Sequence, residues 1–324
     1  MRKITHLTAA IGLAFAPVLL AAPAQAMHWH TWVASYGSDG NSCDRANPCA
    51  SFQGALANTP AGGEITCVDS GNFAALGSNL IIDKSITINC EAAIGTPTVE
   101  GPNGGVAFFT ILNTFVTDTV ILRGLDIDGQ TSSGNLINFK GAGTLHVQKA
   151  KINRTIGAGI AIAFSPVFAA KLFVSDCTII DNGGIGVSGG IVIKPASGVE
   201  ADVTIDRTRI ENNFFGIIAD GTDGGIIHGV VRDSVVAGNA NFGIGASTST
   251  ANVVLLLENT TITNNNYGLV AVGAGAGLAV RNSSILFNTT GLYAATGGVL
   301  GSYKNNSVGG NGTDGAFTVV AAQQ

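Results

Sequence analysis

The chain has 324 residues with 45 Gly, 26 Asn and only 6 Glu, and 11% of it is charged. Glycine stands at about twice its usual share and charge at under half, so helices built on Glu, Lys and Ala cannot dominate. A hydrophobic share of 46% and a mean hydropathy of +0.37 exclude general disorder, and a net charge of −5 without a basic cluster argues against nucleic acid or anionic lipid as a partner.

Residues 1–26 read as a secretory signal peptide. Arg2 and Lys3 are followed by the apolar run "AAIGLAFAPVLLAA" and then by Ala24, Gln25 and Ala26, with small residues where a signal peptidase reads. The run is short and no stop-transfer pattern follows, which disfavours an N-terminal membrane helix. Later uncharged stretches are interrupted by glycine, so no membrane span is expected once the signal is removed. The expected location is secreted or periplasmic, where disulfides form.

Residues 27–60 read as an N-terminal strand, a disulfide loop and a cap. His28 and His30 flank Trp29 in "MHWHTW", a free polar end before it is a metal site. Cys43 and Cys49 lie in the polar loop "SCDRANPC" and are expected to staple it. Further on, "GEITCVDSG" and "SITINCEAA" align with a shift of 23 residues, which puts Cys67 beside Cys90 on an inward face. A disulfide and a pair of stacked thiols both fit there, because bridging adjacent parallel strands is geometrically demanding. Cys177 is left over and reads as a small buried apolar residue rather than a nucleophile. The cysteine spacings match no zinc pattern.

From about residue 118 the chain repeats. Each unit has an alternating apolar run, a polar pair, an Ile or Val anchor, then Asn and Gly. The anchors are Ile127, Ile152, Ile179, Ile210, Val236, Ile262, Ile285 and Val308, spaced 23 to 31 residues apart. Three residues past the anchor stand Asn182, Asn213, Asn239, Asn265, Asn288 and Asn311. The period lacks a helical 3.6 pattern and the fixed leucines of leucine-rich repeats. It fits three short strands plus turns, in coils that stack about 4.8 Å apart and share one apolar core. The asparagines read as structural. A tight corner asks for a left-handed residue, which Asn tolerates, and stacked amides can hydrogen-bond along the axis.

"TRIENNFFGI", "TTITNNNYGL" and "SSILFNTTGL" resemble the right-handed parallel β-helix proteins of the pectin lyase-like superfamily, over most of residues 60–320. The opening "TWVASYGSDGNSCDRANPCASFQGALANTPAGGEITC" is similar to the N-terminal segment of secreted β-helix repeat proteins. That resemblance implies a capping helix at about residues 50–56. The fold class is therefore all-β, a single-stranded right-handed parallel β-helix with three short strands per coil over residues 61–324 and a short N-terminal capping helix.

Outward positions form files as well. Four residues before the anchors stand Arg123, Gln148, Ser175, Asp206, Arg232, Glu258, Arg281 and Lys304. Asp206, Arg232, Glu258 and Arg281 alternate in sign, which reads either as a salt-bridge ladder or as a strip that holds a sugar chain. Asp220, Asp223 and His228 precede Arg232 and are placed in its neighbourhood. The resemblance implies acidic-polysaccharide cleavage or epimerisation on such a face. It would cast Arg232 and His228 as neutraliser and base, and Asp206 or Asp223 as Ca²⁺ ligands. The "DPHE" of alginate epimerases and the "GHG" of polygalacturonases are absent. A hydrolase pair of Asp206 and Glu258 is disfavoured, because Arg232 between them would hold both ionised.

Other features read as structure. His146 is expected to be a lone surface histidine, Asp126 and Lys151 a surface pair, and the two "GTDG" segments turns. No nucleotide-binding loop is present. The expected function is an exported protein of the cell envelope or extracellular space that binds polysaccharide or serves structurally, without a cofactor. The alternatives are a lyase or epimerase of acidic glycans, using Ca²⁺, and a surface adhesin. No β-barrel translocator pattern follows the repeat. Oligomeric state is not legible in the residues.

Overall fold

The computed structural model describes residues 28–74, 79–93, 98–100 and 108–321. The signal peptide read over residues 1–26 lies outside them. Each regular coil carries three short strands, and each strand hydrogen-bonds in parallel to its counterparts one coil before and one coil after. The result is a right-handed parallel β-helix with one 12-stranded and two nine-stranded sheets. One coil runs Glu200–Asp206, Arg209–Glu211, Phe215–Asp220, and then Ile226–Arg232 lies beside the first strand.

Alternation along each strand sends every second side chain inward. The anchors Ile127, Ile152, Ile179, Ile210, Val236, Ile262 and Ile285 pair in register on successive coils, and all are fully buried. Leu122, Val147, Val174, Ile205, Val231, Leu257 and Val280 form a parallel inward file in the 12-stranded sheet. Coils sit so close that glycine is required between some of them. A Cβ on Gly216 would lie 2.3 Å from the carbonyl oxygen of Gly243, and one on Gly268 would lie 2.6 Å from that of Gly291.

The asparagines stack, but not in the backbone conformation expected of them. The left-handed residue at this corner is the one before each Asn: Asp181, Asn212, Gly238, Asn264, Phe287 or Gly310. The Asn itself supplies hydrogen bonds. Asn182 Nδ2 donates to Asn213 Oδ1 at 2.9 Å, Asn239 to Asn265 at 2.8 Å, and Asn265 to Asn288 at 3.0 Å. Each Nδ2 also reaches a strand carbonyl of the preceding coil, as Asn213 does to Ile179 at 3.1 Å. From Asn213 onward each Oδ1 accepts the backbone N–H of the Asn one coil earlier, and Asn182 Oδ1 accepts that of Thr155. The corner's buried polar groups are thereby satisfied.

The N-terminal end is built into the stack. His30–Val33 pairs with Gly63–Cys67 and begins the 12-stranded sheet. His30 Nε2 also meets Thr66 Oγ1 at 2.7 Å, so His30 is not on a free polar end. The helix is Phe52–Asn58 rather than 50–56. Asp39 Oδ1 accepts the N–H groups of Ala50 and Ser51 and holds them outside the helix. Ser51 Oγ then caps the first turn by accepting from Gly54 N at 3.1 Å. Phe52, Ala55 and Leu56 are buried at the end of the stack. Cys43 is bonded to Cys49 and Cys67 to Cys90, the latter a bridge between adjacent coils, while Cys177 is a buried free thiol.

The last coil slips by one position. Val280 pairs with Ser302 rather than Tyr303, because this corner holds two left-handed residues, Lys304 and Asn305. Lys304 therefore leaves the outward file that ends at Arg281.

Candidate functional site

The 12-stranded sheet has the widest outer face. In mid-stack its strands run six or seven residues, against three in the neighbouring sheet of the same coils. Each such strand turns about three side chains outward, so three files lie side by side. The file next to the second sheet carries Arg123, Gln148, Ser175, Asp206, Arg232, Glu258 and Arg281 in register. The central file carries Ile121, His146, Phe173, Thr204, Val230 and Leu256. The third carries Lys171, Asp202, His228 and Val254.

The charged file does not form a continuous ladder. Arg232 Nε donates to Asp206 Oδ1 at 3.1 Å, and Arg281 Nη2 donates to Glu258 Oε1 at 2.5 Å. Arg232 makes no ion pair with Glu258 among the described residues. Arg207, which stands outside the file, reaches both Asp176, at 2.8 Å, and Asp206. Its hydrogen bonds to the Asp176 carboxylate and the charge of Asp206 raise the Arg207 pKa above its already high value. Asp206, expected to point freely outward, is covered by the two guanidiniums and is only 6% exposed. Each of its two oxygens already accepts from a guanidinium, whereas Arg232 remains half exposed.

Beside these groups lies an aromatic platform that the sequence reading passed over. His146, expected to be a lone surface residue, is half-buried and stacks on Phe173 with centroids 4.8 Å apart and an 11° interplanar angle. Burial, helped by the positive charge of Arg123, lowers its pKa and favours the neutral ring. Arg123 itself donates to an amide, Gln148 Oε1, at 2.9 and 2.6 Å, and so keeps a net positive charge close by. His146, Phe173, Ser175, Thr204, Asp206 and Arg232 help line an open groove of about 510 Å³. The signal was present in the sequence: His146 and Phe173 both stand six residues before their anchors.

A second depression of about 350 Å³ shares Thr204 and Val230 with the first and adds Asp202, His228, Val254 and Leu256. His228 lies on the same strand as Arg232 but four residues away, roughly 13 Å along it. The two are not brought to one sugar unit. A further stacked pair, His30 and Trp32 at 4.0 Å, stands on the same sheet four strands from His146, about 19 Å at the usual strand spacing.

Asp220 and Asp223 belong to another place. Both face Lys194, at 3.1 and 3.3 Å, on the corner between the third sheet and the first, and neither lines the two depressions. Burial raises the pKa of Asp220, but the Thr222 hydrogen bonds and Lys194 outweigh it and hold the carboxyl below its usual range.

No family model and no curated protein matches this chain. Among solved structures it is similar to pectate lyase Pel9A, with 12% identity and a TM-score of 0.48 over 84% of this chain and 67% of that one. It is also similar to a rhamnogalacturonan lyase, with 12% identity and a TM-score of 0.47 over 86% and 75% of the two chains. At this identity the likeness concerns the fold alone.

Proposed function

We propose that this is an exported polysaccharide-binding protein, and that acidic glycans lie along the outer face of the 12-stranded sheet. The carrying observation is the His146–Phe173 platform in a groove walled by Arg232, Asp206 and Gln148. A pyranose ring offers a C–H face that packs on an aromatic ring and a rim of hydroxyls for polar partners, the mixture such grooves recognise. Arg123 and the exposed part of Arg232 favour carboxylate-bearing sugars. The coil spacing of about 4.8 Å is comparable to the length of one sugar unit, so successive coils can meet successive sugars. Two disulfides accord with a secreted or periplasmic location, and we read residues 1–26 as the segment removed on export. Binding is favoured over lyase chemistry because the proposed neutraliser Arg232 is held by Asp206 and stands apart from His228.

Electrophoresis of the purified protein through gels containing pectate, alginate or neutral polysaccharides tests this reading. The acidic polymers should retard the protein. Phe173→Ala should weaken retention at least tenfold with an unchanged circular dichroism spectrum, and no unsaturated uronate should accumulate. If no polymer retards the protein, or Phe173→Ala binds as well as the parent, the proposal fails.

A further inference from the structure

We infer that Glu200, Asp202 and His228 form a binding site for a divalent transition-metal ion of the zinc class. Asp202 and His228 are direct register partners on adjacent strands, and Glu200 stands two residues before Asp202, on the same outer face. One donor atom from each of the three lies within 4.8 Å of the others, and His228 Nδ1 is 3.0 Å from Glu200 Oε1. Donors about 2.0–2.2 Å from a tetrahedral zinc sit roughly 3.4 Å apart, so modest rotation of these partly exposed side chains closes the set.

The charge pattern supplies an independent reason. Several carboxylates elsewhere on the coils meet cations: Asp206 with Arg207 and Arg232, Glu258 with Arg281, Asp176 with Arg207, and Asp220 with Lys194. Here two carboxylates share a face without such a cation. Among the described residues the only ion pair of Glu200 is with His228, and Asp202 makes none, although Lys171 is its register neighbour on the other side. A bound M²⁺ offsets this local excess of negative charge.

The donor set selects the metal class. Ca²⁺ takes six to eight oxygen ligands, whereas one imidazole with two carboxylates suits zinc or a similar ion. With the metal on Nδ1, His228 Nε2 faces the side-chain amide of Asn252, now 3.3 Å away. Turning that amide lets its oxygen accept the ring N–H, an outer partner that fixes the imidazole. The remaining coordination positions open towards the depression that Val230, Val254 and Leu256 help line. This inference stands whether or not the sheet holds a glycan.

Isothermal titration of ZnCl₂ into the chelator-stripped protein provides the test, with CaCl₂ run in parallel. The expected result is one saturable Zn²⁺ equivalent and no comparable Ca²⁺ binding. His228→Ala and Asp202→Asn should each weaken Zn²⁺ at least tenfold, with unchanged circular dichroism spectra. A His28→Ala/His30→Ala double variant should retain the site, since those histidines are the competing imidazoles at the N-terminal end. The inference is overturned by an absence of Zn²⁺ binding, by parental affinity in His228→Ala, by loss of the site in the double variant, or by tighter binding of Ca²⁺.

Discussion

Truncating one asparagine in the middle of the stack should cost far more than truncating the last. Asn239 is 1% exposed. Its Nδ2 donates to Asn265 Oδ1 and to the Ile210 carbonyl, and its Oδ1 accepts from both the backbone N–H and the Nδ2 of Asn213. Asn239→Ala removes these bonds and leaves the buried Asn213 N–H without its acceptor. Three bonds at a net of about 1 kcal/mol each, with about 1–3 kcal/mol for the orphaned buried donor, give a destabilisation of about 4–6 kcal/mol. Asn311 ends the file at a half-exposed position, where its amide also meets Asp314. Water can replace part of what Asn311→Ala removes, so its cost should be about 1 kcal/mol, felt as fraying of the last coils. Urea unfolding followed by circular dichroism reads both values. Asn239→Asp adds a sign test. A buried carboxylate facing amide and carbonyl oxygens has a raised pKa, so this variant should regain stability as pH falls from 7 towards the unfolded carboxyl value of about 3.9. Equal costs for Asn239→Ala and Asn311→Ala, or a loss below about 1 kcal/mol at Asn239, would refute the ladder as a source of stability.

Burial pushes the Cys177 thiol up to about 11. A thiol reagent at pH 8 should therefore leave the native protein unlabelled, label one thiol after denaturation without reductant, and label all five cysteines after reduction; rapid native labelling would contradict the buried position. His146 carries a pH effect of defined sign. Burial and then Arg123 lower its folded-state pKa below the unfolded value of 6.5, so the unfolded state binds more protons between the two values. Its contribution is fully present above pH 6.5 and is lost as pH falls through the folded value. His146→Phe should flatten this part of the melting-temperature profile between pH 7 and 5, and an unchanged slope would exclude the effect.

The core was legible because stacking makes inward positions repeat. Ile210, Val236 and Ile262 each face a counterpart one coil away, so the same residue type solves the same packing problem every time. The asparagine file was legible for the same reason, although its left-handed neighbour was not: Asp181, Gly238 and Phe287 share a backbone conformation but no side-chain chemistry. Surface pairing resisted reading because long side chains choose partners off the file. Arg207 sits one residue beyond Asp206, yet it reaches back a coil to Asp176. The slip at Ser302 was hidden because a one-residue insertion looks like ordinary variation in loop length.

The three sheets are not equivalent surfaces for a ligand, and their strand lengths and side chains explain why. Three-residue strands such as Thr178–Ile180 and Arg209–Glu211 turn only the two residues beside the anchor outward, too narrow a strip for a sugar and its polar rim. The third sheet has longer strands but covers part of its outside with its own apolar groups. Phe214, Phe215 and Phe242 pack against Val192 and Ile218, and Phe215–Asp220 is buried along its length. Among the described residues, only the 12-stranded sheet combines width with mixed chemistry: an aromatic platform in the central file, guanidiniums on one side, and Asp202 and His228 on the other. Because the inward files already satisfy the packing of each coil, these outward residues are free to vary without disturbing the stack. That separation allows a charge-balanced file and an unbalanced Glu200–Asp202–His228 set to sit side by side on one rigid support.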